Sequence, residues 1–271
     1  MGALRIVPIA RCQLGARHQK FAGLALGHFF QPGRTDSGIS SERSGGKIVT
    51  TSMIDSATTR LTDGLFDDDV QILSSPLRFR AEDLPSAEAA LVARAVDSRR
   101  SEFATGRELA RTLLRRMGCE VSELLRDDDR VPCWPERVVG SISHCDDLCV
   151  VAIAPSTDYR GIGLDVEPDE PVKEGVERIV CRPGERTWLE SVPPLERPRR
   201  IKLIFSVKEA VYKAFYPELR TFWSFQDVET EIDLEAGSFK ASLPEGTEVR
   251  EIEGRVARRE GWILSAVARR R

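Results

Sequence analysis

Residues 161–167 read Gly-Ile-Gly-Leu-Asp-Val-Glu, and residues 205–215 read Phe-Ser-Val-Lys-Glu-Ala-Val-Tyr-Lys-Ala-Phe. The first stretch is short and apolar up to its acids, the pattern of a buried strand. On a strand, residues two apart share a face, so Asp165 and Glu167 point the same way. Two carboxylates so placed can meet a hard divalent ion. The second stretch reads as part of a helix from Pro198 or Arg199 to Phe215. Its Ile201, Ile204, Phe205, Val211, Tyr212 and Phe215 pack, while Lys208, Glu209 and Lys213 reach a neighbouring cleft. From that helix Glu209 can supply a third oxygen ligand, with phosphate oxygens and waters completing an Mg²⁺ shell. Lys213, four residues on, lies on nearly the same side. It is either a lysine that neutralises phosphate or half of a surface Glu–Lys pair worth roughly 0.3 kcal/mol. Spacing leaves both readings open, and it leaves Asp165 and Glu167 open between a metal-binding rim and a solvated strand face.

Outward from this pair the pattern is mixed. Val138 to His144 and Leu148 to Pro155 read as buried strands joined by a polar turn at Asp146-Asp147. Leu84 to Met117 reads as mainly helical, starting at Ser86 and ending near Gly118, with Gly106 either interrupting it or permitting close packing. After the second helix, residues 222–234, 238–246, 248–257 and 261–268 suggest short strands linked by turns. Residues 31–52 are rich in Gly, Ser and charge, the composition of a linker or disordered extension. Organised structure is expected to begin between Ile54 and Phe66. The fold class implied is α+β, with no close internal repeat.

Forty Lys plus Arg nearly balance 43 Asp plus Glu among 271 residues, leaving a net charge of −3 and no electrostatic case for wrapping nucleic acid. The six cysteines lack the paired short spacings of a structural zinc site. Separate thiols and the lack of an apolar segment able to span a bilayer point to a soluble protein of a reducing compartment, the cytoplasm. The first thirty residues are not read as a signal peptide, because their apolar patches are interrupted. Neither a GxxxxGK[ST] phosphate loop nor a GxGxxG fingerprint is present, which removes weight from the common nucleotide folds.

Two further groups can meet a phosphate. Ser141, Ser143 and His144, in Gly-Ser-Ile-Ser-His at 140–144, combine hydroxyls with an imidazole that can be neutral or cationic, and a partly buried structural histidine is the competing reading. Arg99, Arg100 and Arg107 form either a basic helix patch for a terminal phosphate or a solvated face.

Taken in order, RRSEFATGR (99–107), WPERVVGSISH (134–144), GIGLDVEP (161–168) and FSVKEAVYKAF (205–215) resemble the 4′-phosphopantetheinyl transferase superfamily. Its larger enterobactin-synthase-like and surfactin-synthetase-activating type is the nearest in pattern. The resemblance implies a pseudo-twofold, two-lobed α+β fold. An amino-terminal extension would occupy residues 1–53, a first lobe 54–160 and a second lobe 161–271. It implies transfer of 4′-phosphopantetheine from coenzyme A to a serine of an apo acyl or peptidyl carrier protein, releasing adenosine 3′,5′-bisphosphate. Secondary metabolism, siderophore synthesis included, is the expected setting. Carried over residue by residue, Asp165, Glu167 and Glu209 hold Mg²⁺, and Asp165, Glu209 and Lys213 are the catalytic group. Arg99, Arg100, Arg107, Ser143, His144, Lys208 and Lys213 bind coenzyme A, with Lys208 either contacting phosphate or supporting local geometry. Glu185 stands near an acidic position of the family but is aligned too loosely to assign. The expected protein is a cytoplasmic monomer that binds neither nucleic acid nor membrane. Two competing readings are a noncatalytic carrier-protein or coenzyme-binding module and a Mg²⁺-dependent phosphate hydrolase built on the same acids.

Overall fold

In a computed structural model, the structure describes residues 60–271. The expected extension, 1–53, and the start of the expected first lobe lie outside them. The described residues belong to one compact unit, of α+β class.

Three antiparallel strands, β1 (Gln71–Pro76), β2 (Val138–Cys145) and β3 (Leu148–Pro155), form a sheet in the order β1-β3-β2. The β2–β3 hairpin turns at Asp146-Asp147 as expected, with Asp146 in the left-handed region at φ 46°. Strand β1 was not foreseen. It pairs with β3 from Gln71 opposite Ile153 to Pro76 opposite Leu148.

Before the hairpin comes a helix pair, α1 (Ser86–Leu91) and α2 (Asp97–Arg116). The single helix expected from Leu84 to Met117 is therefore broken between them. The break lets α1 turn its fully buried Glu88 inward, where Glu88 accepts hydrogen bonds from Arg111 (2.5 Å) and from the backbone N of Leu124 (2.6 Å). Tertiary bonding overrides local propensity here. Gly106 does not interrupt α2. A Cβ there would come within 3.0 Å of Ile142 Cγ2, so the glycine permits close helix–sheet packing. Helix α2 stops where Gly118 takes φ 72° and Cys119 N bonds back to Leu114 O at 2.8 Å, a Schellman ending.

Strand β4 (Tyr159–Pro168) opens a five-stranded antiparallel sheet, ordered β4-β8-β7-β6-β5. Two short helices, α3 (Val176–Val180) and α4 (Pro183–Glu190), precede the long α5 (Arg197–Leu219), and Arg220 ends α5 with φ 52°. The later strands are β5 (Glu229–Asp233), β6 (Ser238–Ser242), β7 (Glu251–Arg259) and β8 (Trp262–Arg270).

Apolar clusters hold these layers. Helix α2 packs Leu109, Ala110, Leu113 and Leu114 onto Leu73, Val151 and Ile153 of the smaller sheet. Helix α5 packs Leu203, Val207, Val211 and Phe215 onto Phe239, Val256, Ile263 and Val267 of the larger. The remaining faces meet, with Val150, Ala152 and Ala154 of β3 against Ile162, Leu164 and Val166 of β4. Alternation along β4 therefore sends Ile162, Leu164 and Val166 to the inter-sheet core and Gly161, Gly163, Asp165 and Glu167 to the α5 side.

Candidate active site

Helix α5 crosses β4 over bare backbone. A Cβ on Gly163 would overlap the Ala210 carbonyl and lie 2.7 Å from the N of Ala214. The two glycines let the helix down onto the strand just before the acids begin. Asp165, 4% exposed, accepts from Lys213 Nζ at 2.7 Å and from Ser143 Oγ at 3.0 Å through the same oxygen, Oδ1. Its other oxygen, Oδ2, is buried without a hydrogen-bond partner.

Glu167 lies beyond, with Lys202 Nζ 3.7 Å from its Oε2 and the Cys145 thiol donating to the same oxygen at 3.8 Å. Burial, with the Asp165 charge added, pushes Glu167 up to about 8 against the pull of Lys202 and Lys213. Burial likewise pushes Glu209 up to about 7; Lys213 opposes it and Asp165 adds to it. Burial pulls the Lys213 ammonium down, but Asp165 and Glu209 outweigh it and hold Lys213 above its ordinary value.

The three acids expected to hold metal thus act on one another electrostatically. Even so, among the described residues no three His, Cys, Asp or Glu side chains converge closely enough to cage an ion by themselves. A bound ion would therefore need oxygens from elsewhere, such as phosphate and water, to complete its shell. Lys213 already occupies Asp165 Oδ1, Lys202 stands beside Glu167, and Asp165 Oδ2 is the acceptor left open.

Lys208 is bonded away from the acids. Its ammonium, 2% exposed, donates at 2.8 Å to each of Val180 O, Glu185 Oε2 and Phe225 O. Glu185 in turn accepts from Arg182 N at 2.7 Å and from Thr230 N at 2.8 Å. A residue adjacent to Glu209 is rotated from it by about 100° around a helix, so Lys208 faces α3, α4 and the segment before β5 and not the acids. Lys202, by contrast, is seven residues before Glu209 and eleven before Lys213, within about 20° of each. That spacing was the available signal for Lys202, and the sequence reading passed over it.

Beside the acids, His144 and Arg99 form a second group. Arg99 Nη1 donates to His144 Nε2 and, at 2.9 Å, to Glu102 Oε2, while His144 Nδ1 lies 3.3 Å from the same Glu102 oxygen. The tautomer that satisfies both contacts is neutral, protonated on Nδ1. Burial pushes His144 down to about 3, and the charges of Arg99, Lys213 and Arg107 push the same way. The ring is therefore neutral near pH 7. Glu102 was not among the expected residues. Arg107 is buried, with its guanidinium 4.3 Å above the Phe103 ring and its Nε unpartnered. Burial pulls it down to about 10.

Arg100 does not join this group. Its guanidinium reaches Glu82 at 3.2 Å and Asp97 at 3.5 Å on the outer side of α2. One helical step from Arg99 is enough to turn it away. A cavity of about 820 Å³, lined by Phe66, Phe239, Lys240, Gly254 and Arg255 among others, contains none of these groups.

Two family models match the chain on either side of the β3–β4 connection. A 4′-phosphopantetheinyl transferase N-terminal domain matches residues 87–154, and the 4′-phosphopantetheinyl transferase superfamily matches residues 161–267. The 4′-phosphopantetheinyl transferase Svp of Streptomyces mobaraensis is 40% identical over 189 residues, covering 67% of this chain and 76% of that protein. Npt of Nocardia iowensis, of the same name, is 34% identical over 203 residues, covering 69% and 90%. PptT of Mycobacterium tuberculosis is 30% identical over 193 residues, covering 66% and 83%. The chain belongs to the 4′-phosphopantetheinyl transferase superfamily. As an enzyme it is a transferase of that class.

Proposed function

We propose that this enzyme moves 4′-phosphopantetheine from coenzyme A to a serine of an apo acyl or peptidyl carrier protein, releasing adenosine 3′,5′-bisphosphate, in the presence of Mg²⁺. The observation that carries the proposal is the buried Ser143–Asp165–Lys213 triangle beside Glu209, with Arg99, Arg107 and His144 next to it. That arrangement juxtaposes acids, a lysine and arginines, the groups needed to handle a pyrophosphate and a separate terminal phosphate.

In the reaction, the carrier serine oxygen forms a bond to the pantetheine-bearing phosphorus, and that phosphorus loses its bond to the bridging oxygen of the leaving bisphosphate. Glu209, raised to about 7 by burial, has a basicity suited to taking the serine proton near neutral pH. Lys213 neutralises charge on the transferring phosphoryl group, and Arg99 and Arg107 bind the nucleotide end. Asp165, through its open Oδ2, and Glu167 would hold the ion with the pyrophosphate oxygens and waters, a donor set that suits Mg²⁺. The bound ion would polarise the phosphoryl oxygens.

The same reading divides the chain near residue 160 into two pseudo-twofold lobes. In its favour, each half holds one antiparallel sheet with one long helix on it. Carriers of secondary metabolism, siderophore assembly included, are the intended acceptors, and the enzyme works as a cytoplasmic monomer without nucleic acid. None of the helices among the described residues is long and apolar enough to cross a membrane.

The test is to incubate the protein with Mg²⁺, coenzyme A and a panel of apo carriers. Intact-mass spectrometry should find the phosphopantetheine increment, with adenosine 3′,5′-bisphosphate released. Bisphosphate release without a modified carrier would favour hydrolysis, and a carrier complex without modification a binding module. Either result overturns the proposal.

A further inference from the structure

We infer that Ser143 is a positioning residue that fixes Asp165 and Lys213 in a single arrangement. The inference rests on the transferase reading above and adds a task to a residue the sequence suggested for the cofactor. A serine hydroxyl has one proton to donate and two lone pairs to accept with. Here all three are used. Ser143 Oγ donates to Asp165 Oδ1 at 3.0 Å and accepts from Val166 N at 3.1 Å and Lys213 Nζ at 3.1 Å. Lys213 closes the triangle onto the same Asp165 oxygen at 2.7 Å. Ser143 is 4% exposed, so the triangle is held inside the protein.

The bond from Val166 N is what makes this hydroxyl a fixed point. Strand β4 is an edge of its sheet, and its outward N–H groups at Leu164 and Val166 need partners when buried. Strand β2 supplies two hydroxyls two residues apart: Ser141 Oγ accepts from Leu164 N at 3.0 Å as Ser143 Oγ accepts from Val166 N. Ser141 is buried to the same degree but bonds to neither Asp165 nor Lys213. The pair is thus a built-in control. Both serines close the seam, and Ser143 alone is also bonded to the charged groups.

The experiment compares Ser143→Ala, Ser141→Ala and Ser143→Thr in the full-length enzyme. Both alanine variants should melt lower, since each orphans one buried N–H, and Ser143→Ala by at least as much as Ser141→Ala, since it also strips bonds from Asp165 and Lys213. In Ser143→Ala, kcat should fall about tenfold or more with KM for coenzyme A within about twofold of wild type, since orientation is lost while ligand contacts remain. Ser141→Ala should keep kcat within about twofold, and Ser143→Thr, which restores the hydroxyl, should recover most of the rate. Equal kcat losses in the two alanine variants would overturn the inference. So would a raised KM at unchanged kcat in Ser143→Ala, or a folded Ser143→Thr as slow as Ser143→Ala. If the wild type modifies no carrier, it is the transferase reading that fails. The positioning claim is then read from a crystal structure of Ser143→Ala, where an Asp165–Lys213 distance unchanged from 2.7 Å overturns it and a separated pair supports it.

Discussion

Replacing Lys208 with Met should damage folding and spare the cofactor site. The Lys208 ammonium bonds to two backbone carbonyls and to Glu185, each at 2.8 Å, and both ionic side chains are about 2% exposed. Burial pulls Lys208 below its ordinary value, with Glu185 holding it up, so the charge persists because its partner does. Removing one member of such a pair leaves the other buried and uncompensated, a loss of about 3–5 kcal/mol. Glu185 keeps its bonds from Arg182 N, Thr230 N and Thr230 Oγ1, which places the expected loss at the lower end of that range. For a chain of this size the shift in Tm would be on the order of 6–12 °C. Lys208→Met with Glu185→Gln should be more stable than Lys208→Met alone, because the stranded carboxylate is gone. Urea denaturation measures the stability and isothermal calorimetry the coenzyme A affinity of the folded variant. A Lys208→Met protein of wild-type stability but weakened coenzyme A binding would refute the reasoning and return Lys208 to the cofactor site.

Four further outcomes are expected. Glu209→Gln and Lys213→Met should each lower carrier modification by about 100-fold or more with the fold retained, as loss of a base or of a transition-state charge does; full turnover in a variant, measured by intact mass, removes that residue from the reaction. Gly163→Ala should destabilise by about 3 kcal/mol or more, beyond ordinary overpacking, because the new Cβ meets helix backbone and not a movable side chain; a wild-type melting curve would contradict this. His144, near 3 in the folded protein against about 6.5 unfolded, binds its proton more readily in the unfolded chain. Its contribution is therefore complete above about pH 6.5 and is lost as pH falls toward 3, by at most about 1.4 kcal/mol per pH unit. His144→Gln should narrow the difference in Tm between about pH 7 and about pH 5, and an unchanged difference would count against the assignment. With iodoacetamide on native protein, exposed Cys133 should react well before Cys149 and Cys181, whose thiols burial pushes up to about 12; peptide mapping that finds Cys149 modified first would disprove it.

Much of this architecture was legible because periodicity reports burial. The alternation in GIGLDVE placed Asp165 and Glu167 on one face of β4, and the β2–β3 hairpin and α5 fell where apolar spacing put them. What escaped depended on partners distant in sequence. Nothing within residues 84–117 discloses that Glu88 will bond Leu124 N, which is why the helix was expected unbroken. Likewise Lys208 reads like Lys213 until Glu185 is brought 2.8 Å from it across α4. The bonds of Ser143 to Asp165, Val166 N and Lys213 were likewise hidden, because a hydroxyl's partners cannot be counted off before its neighbours are known.

The contact between Gly161, Gly163 and α5 has a consequence for how this enzyme can diverge. Where side chains separate a helix from a strand, a change in one can be absorbed by a change in the other. Here the Ala210 and Ala214 backbone sits directly on the strand, so there is nothing to repack. A slip of α5 by one residue would move it about 1.5 Å along its axis and turn it by about 100°. Glu209 and Lys213 would leave Asp165 together. The outer surface of α5 is free to drift, while its axial register on β4 is held by two absent methyl groups.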